Sequence, residues 1–231
     1  KEVGMRAKRP TGTITKKQAR FSAGLLGAYV LVTLCALGFV RLAWEVRERE
    51  TLGFDEAVLT AINHASTPFL NSFIPIATDV GGFVGVTLLT VVFLGLFIAK
   101  NEYRRALLVV VSVAGAALLN IVLKLVFTRD RPDLWEQLVH EAGYSFPSGH
   151  AMASAALGLA LAVALWNSRW RWWGLVFAVV YIAFVGYSRL YLGVHYPTDI
   201  LAGWLVSGVW VLAIALLIRS KLGHQALRNL P

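Results

Sequence analysis

The chain has 231 residues, 57% hydrophobic and 15% charged, with a mean hydropathy of +0.64 and a formal net charge of +9. A water-soluble domain of this length has no need of so much apolar sequence. The charged residues gather in short stretches between long apolar runs, the pattern of membrane spans.

In chain order, residues 1–20 form a basic stretch that is too polar for a signal peptide and runs into a full-length apolar segment with no cleavage site. Lys1 to Gly4, ahead of Met5, are set aside. A helix crosses a bilayer in about 20 apolar residues, and six segments qualify: 22–39, 81–99, 106–127, 151–166, 173–187 and 200–218. Residues 51–70 differ. Leu52, Phe54, Val58, Leu59 and Ile62 are spaced like one helical face, with Asp55 and Glu56 between them, which predicts a helix lying at the membrane interface. The only cysteine, Cys35, falls in the first apolar run, so no disulfide forms within these residues.

The expected fold is therefore all-α: a polytopic membrane bundle of about six transmembrane helices plus an interfacial amphipathic helix. The membrane domain covers 21–218, between tails at 1–20 and 219–231. Six spans return both termini to one side. Most Lys and Arg lie in the two tails and in the connections holding Lys100, Arg104, Arg105, Arg169 and Arg171. By the positive-inside rule both termini are cytoplasmic. The basic charge is then a topology signal, and nucleic acid is not an expected partner.

Two connections on the opposite side hold most of the remaining polar residues. One runs from Lys124 through Arg131 and Pro132 to Pro147, Ser148, Gly149 and His150; the other holds Ser188, Arg189, His195 and Asp199. Lys124, Arg131 and Arg189 supply three cations, and Arg grips phosphate oxygens with parallel donors. Ser148 suits a helix N-cap, Gly149 lets backbone approach a ligand, and a helix start attracts anions. Asp199 follows His195 by four residues. If a helix begins near Pro197, its carboxylate reaches the imidazole, fixes the tautomer and frees the other ring nitrogen to attack phosphorus. His150 is then placed to protonate a leaving alkoxide. The two histidines and Asp199 are also metal-ligand types, but three cations nearby repel a divalent ion.

The pattern Lys124-x6-Arg131-Pro132, Pro147-Ser148-Gly149-His150 and Ser188-Arg189-x5-His195-x3-Asp199 resembles the three-part signature of the type 2 phosphatidic acid phosphatase superfamily, in its membrane branch. The resemblance implies His195 as nucleophile with Asp199 as its partner, and His150 as general acid. It implies Lys124, Arg131, Ser148, Gly149 and Arg189 as the phosphate site, with no metal and no cofactor. The implied partners are the bilayer, a membrane lipid substrate and phosphate- or vanadate-like anions. The implied activity is hydrolysis of lipid phosphomonoesters or pyrophosphates at the extracytoplasmic face of the cytoplasmic membrane. A transporter or flippase for an anionic lipid would use the same cations without bond breaking, but it calls for ionisable groups near the bilayer midplane, where these spans are nearly uncharged. His64, Asp79, His140 and Glu141 are expected to be solvated loop residues.

Overall fold

The computed structural model describes residues 16–220, with side chains from 24 onward. Every regular element among them is helical: α1 (Lys16–Arg47), α2 (Leu52–His64), α3 (Pro68–Ala77), α4 (Phe83–Ala99), α5 (Tyr103–Phe127), α6 (Gly149–Leu165), α7 (Arg171–Tyr191) and α8 (Pro197–Arg219), with a 3-10 turn at Thr78–Gly81. Of the basic stretch 1–20, the part described is the start of α1. The tail from 221 onward lies outside the described residues.

Four segments are long and apolar enough to cross a membrane: Gly24–Arg47, Tyr103–Phe127, Arg171–Tyr191 and Pro197–Arg219. A fifth results if Pro68–Gly81 and Phe83–Ala99, which meet at 49°, form one bent span. The chain is thus a multi-pass membrane protein. The six expected spans correspond to these four, the bent pair, and α6, whose 17 residues are apolar but short.

The position of α6 follows from its composition. It is rich in alanine, and Ala151, Ala155, Ala156, Leu157, Ala160 and Leu161 are all buried. A helix apolar on every side belongs inside a bundle, and small residues let neighbours come close. α6 accordingly packs against α5, α7 and α8. Large apolar residues such as Leu34, Val84 and Leu125 face outward on α1, α4 and α5, as a lipid-facing surface requires. α1 runs antiparallel to α8, with Gly38 against Leu205 and Cys35 against Gly208.

The single helix expected over 51–70 is two helices. Pro68 cannot continue α2 and instead takes the first turn of α3, where Thr67 caps the helix by accepting from the Leu70 N–H at 3.3 Å. Asp55 does not face solvent either. It is fully buried beside Leu59, and α2 packs on α7 and α8.

The C-terminal ends of α5 and α7 and the N-terminal ends of α6 and α8 meet at one end of the bundle. Gly203 sets how close α8 comes to the start of α6. A Cβ there would stand 3.1 Å from the Ala151 Cβ and 3.2 Å from the Ser148 carbonyl oxygen.

Candidate active site

His195 lies in the short connection between α7 and α8, and Asp199 is the third residue of α8. Pro197 opens the helix, and the Asp199 carboxylate accepts from the Tyr196 N–H at 2.9 Å, as the third residue of a capping box does. The same oxygen lies 3.4 Å from His195 Nδ1, at the long end of hydrogen bonding. On the other side of the ring, Arg131 Nη1 is 3.2 Å from Nε2. A guanidinium only donates, so Nε2 is the unprotonated nitrogen and Nδ1 carries its hydrogen toward Asp199. Burial, then the charges of Arg131, Arg189, Lys124 and His150, hold the imidazole well below the ordinary histidine range. The neutral form is thereby favoured, with its Nε2 lone pair turned toward Arg131.

Arg131 is fixed by backbone carbonyls. It donates to Val194 at 2.9 Å, Gly143 at 3.0 Å and Ala142 at 3.1 Å. Arg189 is 1% exposed and donates to Thr78 Oγ1 at 3.2 Å, which in turn meets Ser188 Oγ at 2.8 Å. Its Nε is buried without a hydrogen-bond partner among the described residues, a donor available to an anion. Lys124, one turn before the end of α5, shares the electrostatic field of Arg131, Glu141, Asp199 and Arg189. Glu141 departs from the expected solvated loop residue: its carboxylate bridges Arg189 and Arg131. Burial alone would raise its pKa, but Arg189, with help from His150 and Arg131, holds the carboxyl below its usual range. Two of the three cations therefore already gather an anionic group. His64, Asp79 and His140 are exposed.

The third part of the site is the start of α6. Ser148 caps it through the Ala151 N–H at 3.4 Å, and its own N–H donates to the Asp199 carbonyl at 3.1 Å. Asn120 on α5 donates to the Pro147 carbonyl at 2.9 Å, so the loop is held from both sides. Gly149 faces Asn120, and the His150 ring lies against Gly82, 3.2 Å from where a Cβ would stand. His150 is subject to the charges of Arg189, Glu141, Lys124 and Arg131, and His195 is subject to that of His150. The eight residues singled out in the sequence thus come together at one end of the bundle.

Sequence reasoning missed two residues here, Arg129 and Asp55. Arg129 Nη1 donates to Asp199 at 2.7 Å and to Thr198 Oγ1 at 2.8 Å, its Nη2 donates to Asp55 at 2.8 Å, and its Cζ stands 4.0 Å from the Tyr196 ring centre. Asp55 also accepts from the Thr198 N–H at 3.1 Å and the Thr198 hydroxyl at 2.6 Å. One signal was present: Leu52, Asp55, Leu59 and Ile62 follow helical spacing, which puts Asp55 on the apolar stripe.

Apolar helices around a buried cationic cluster with a carboxylate-backed histidine define a helical membrane protein with an anion-handling site. The sequence profile of the PAP2 superfamily matches residues 105–222, and the chain belongs to that family. It is 34% identical to phosphatidylglycerophosphatase B of Bacillus subtilis, over 73% of this chain and 85% of that protein. It is 28% identical to an undecaprenyl-diphosphatase of Sulfolobus acidocaldarius, over 74% and 81%. The crystal structure of a transmembrane PAP2-type phosphatidylglycerolphosphate phosphatase from Bacillus subtilis superposes with a TM-score of 0.72 at 29% identity, covering 87% of this chain and 98% of that one.

Proposed function

We propose that this protein is a lipid phosphate phosphatase acting on phosphomonoester or pyrophosphate headgroups of the phosphatidylglycerophosphate and undecaprenyl diphosphate class, through a phosphohistidine. The observation that carries the proposal is the line Asp199–His195–Arg131, which points the Nε2 lone pair at Arg131 within the field of Arg189 and Lys124.

A bound phosphoryl group would draw Arg131, Arg189 and Lys124 onto its oxygens and displace the Glu141 carboxylate. His195 Nε2 attacks phosphorus, and the bond from phosphorus to the lipid oxygen breaks. Asp199 stabilises the positive ring as Nδ1 keeps its proton. The departing oxygen takes a proton from His150, whose protonated form is favoured by the charge of the bound phosphate. Water then attacks phosphorus and gives a proton back to His150. The phosphorus–nitrogen bond breaks, inorganic phosphate leaves, and His195 is restored. Fixed cations and a helix start stabilise the equatorial oxygens throughout. With the basic connections cytoplasmic, the site opens on the extracytoplasmic face of the cytoplasmic membrane.

The test is phosphate release from phosphatidylglycerophosphate and undecaprenyl diphosphate by purified protein in detergent. Turnover should persist in excess EDTA. It should fall by about 10³-fold or more in His195→Ala and in His150→Ala. A His195→Ala protein that keeps its turnover would falsify the nucleophile assignment. Lipid movement without phosphate release would favour the transport reading.

A further inference from the structure

Behind the nucleophile lies a buried ionic chain that the phosphate chemistry does not use directly. Asp55 comes from α2, Arg129 from the loop after α5, and Thr198 and Asp199 from the start of α8. The side chains of both aspartates are fully buried and that of Arg129 is 13% exposed. Burying three charges costs several kcal/mol per ion before any pairing. Two of them would suffice to brace the helix. Arg129 with Asp199 alone would be a neutral pair, and Thr198 would remain free to cap or pack. The added carboxylate has an electrostatic consequence: two carboxylates and one guanidinium leave one net negative charge behind His195.

We propose that Asp55 and Arg129 are positioning residues that set the charge behind the nucleophile. Arg129 orients Asp199, and Asp55 offsets Arg129 so that Asp199 keeps its full effect on the imidazole. The need for this charge comes from the groups facing the ring. Lys124 of α5, Arg131 of the following loop, Arg189 of α7 and His150 of α6 all act on the charge of the ring, Arg131 directly at Nε2, and Asp199 is its partner on α8. Phosphoryl transfer makes the imidazole positive next to those cations. An Arg129 left uncompensated would add a fourth cation at the back and cancel Asp199. The arrangement also ties α2, assigned by its sequence to the membrane surface, to the residue that primes the nucleophile.

The proposal rests on His195 being the nucleophile, so His195→Ala is run alongside. The experiment measures kcat, KM and the pH dependence of kcat/KM for Asp55→Asn, with dioctanoyl phosphatidylglycerophosphate as substrate. Asparagine keeps the shape and can still accept from the Thr198 N–H. The expected result is a kcat about tenfold lower at little-changed KM. The acid limb should move down by about one pH unit, because a negative charge near the ring has been removed. Asp55→Asn/Arg129→Gln restores one net negative charge and should return the acid limb to its wild-type position. A structural role alone would leave the limb in place and make the double variant the worse of the two. If Asp55→Asn does not fold, Arg129→Gln decides in its place: it leaves two carboxylates and no guanidinium behind the ring, so the acid limb should move up by about one pH unit, and a limb left in place overturns the proposal. Wild-type kinetics in Asp55→Asn, with His195→Ala inactive, overturns the proposal while sparing the nucleophile. Activity in His195→Ala removes the premise.

Discussion

His195 has a hydrogen-bond partner on each side, an acceptor at Nδ1 and a donor at Nε2, and the two do different work. Asp199 accepts the hydrogen bond from Nδ1, and Arg131 donates to the Nε2 lone pair, which the proposed mechanism frees when phosphate engages the guanidinium. This gives a prediction for pH. The proposed attack requires a neutral ring, and burial with neighbouring cations favours the neutral form below the ordinary histidine value. The acid limb of kcat/KM, which reports the free enzyme, should therefore lie below pH 6.5. A kcat/KM titration with a limb at or above 6.5 would contradict the geometry. His195, His150, Asp199 and the three cations were legible at this scale because each chemistry narrows the residue types. Arg129 was not, because a basic residue at a helix end has a ready solvation reading. Glu141 was not, because its ion pairs bridge Arg131 and a residue 48 positions away.

Among the elements, α6 and α8 present the cap loop and Asp199 of the candidate site, and the contact between them sets how far apart these two stand. Ser148 is tied to Asp199 through a backbone bond of 3.1 Å, and Gly203 allows that approach. Gly203→Val would drive side-chain atoms against the Ser148 carbonyl, which cannot rotate away. The expected cost is about 1–3 kcal/mol in stability. Activity should suffer more, because the cap loop and Asp199 are moved apart: kcat/KM should fall at least about tenfold. Thermal melting followed by tryptophan fluorescence, set beside turnover, checks both. Equal activity in a folded Gly203→Val protein would show that the contact does not set the site. The apolar periods predicted the helices, but not their breaks. The division of 51–70 into α2 and α3 depends on Pro68 with its Thr67 cap, and although the composition of α6 calls for burial, it does not specify α5, α7 and α8 as the neighbours.

For the whole molecule, the distribution of charge becomes a statement about sides. Arg104, Arg105, Asn167 and Arg219 lie together at the end of the bundle away from the site. Positive-inside bias assigns that end to the cytoplasm and the histidines to the outside. The prediction is made on a Cys35→Ser background with either His140→Cys or Asn167→Cys. In intact cells, a membrane-impermeant maleimide should label the protein with cysteine at 140 and spare the one at 167, with both labelled after lysis. The reverse pattern would invert the topology.

The sequence by itself determined the membrane class, the helical spacing and the candidate set of groups proposed to handle phosphate. Those properties depend on local composition and on residue chemistry, which need no partner to be read. Tertiary structure decided the pairings: Arg129 with two aspartates, Glu141 with two arginines, and α2 with the start of α8. Low-dielectric burial makes each buried charge depend on a partner far along the chain, and only folding brings those partners together.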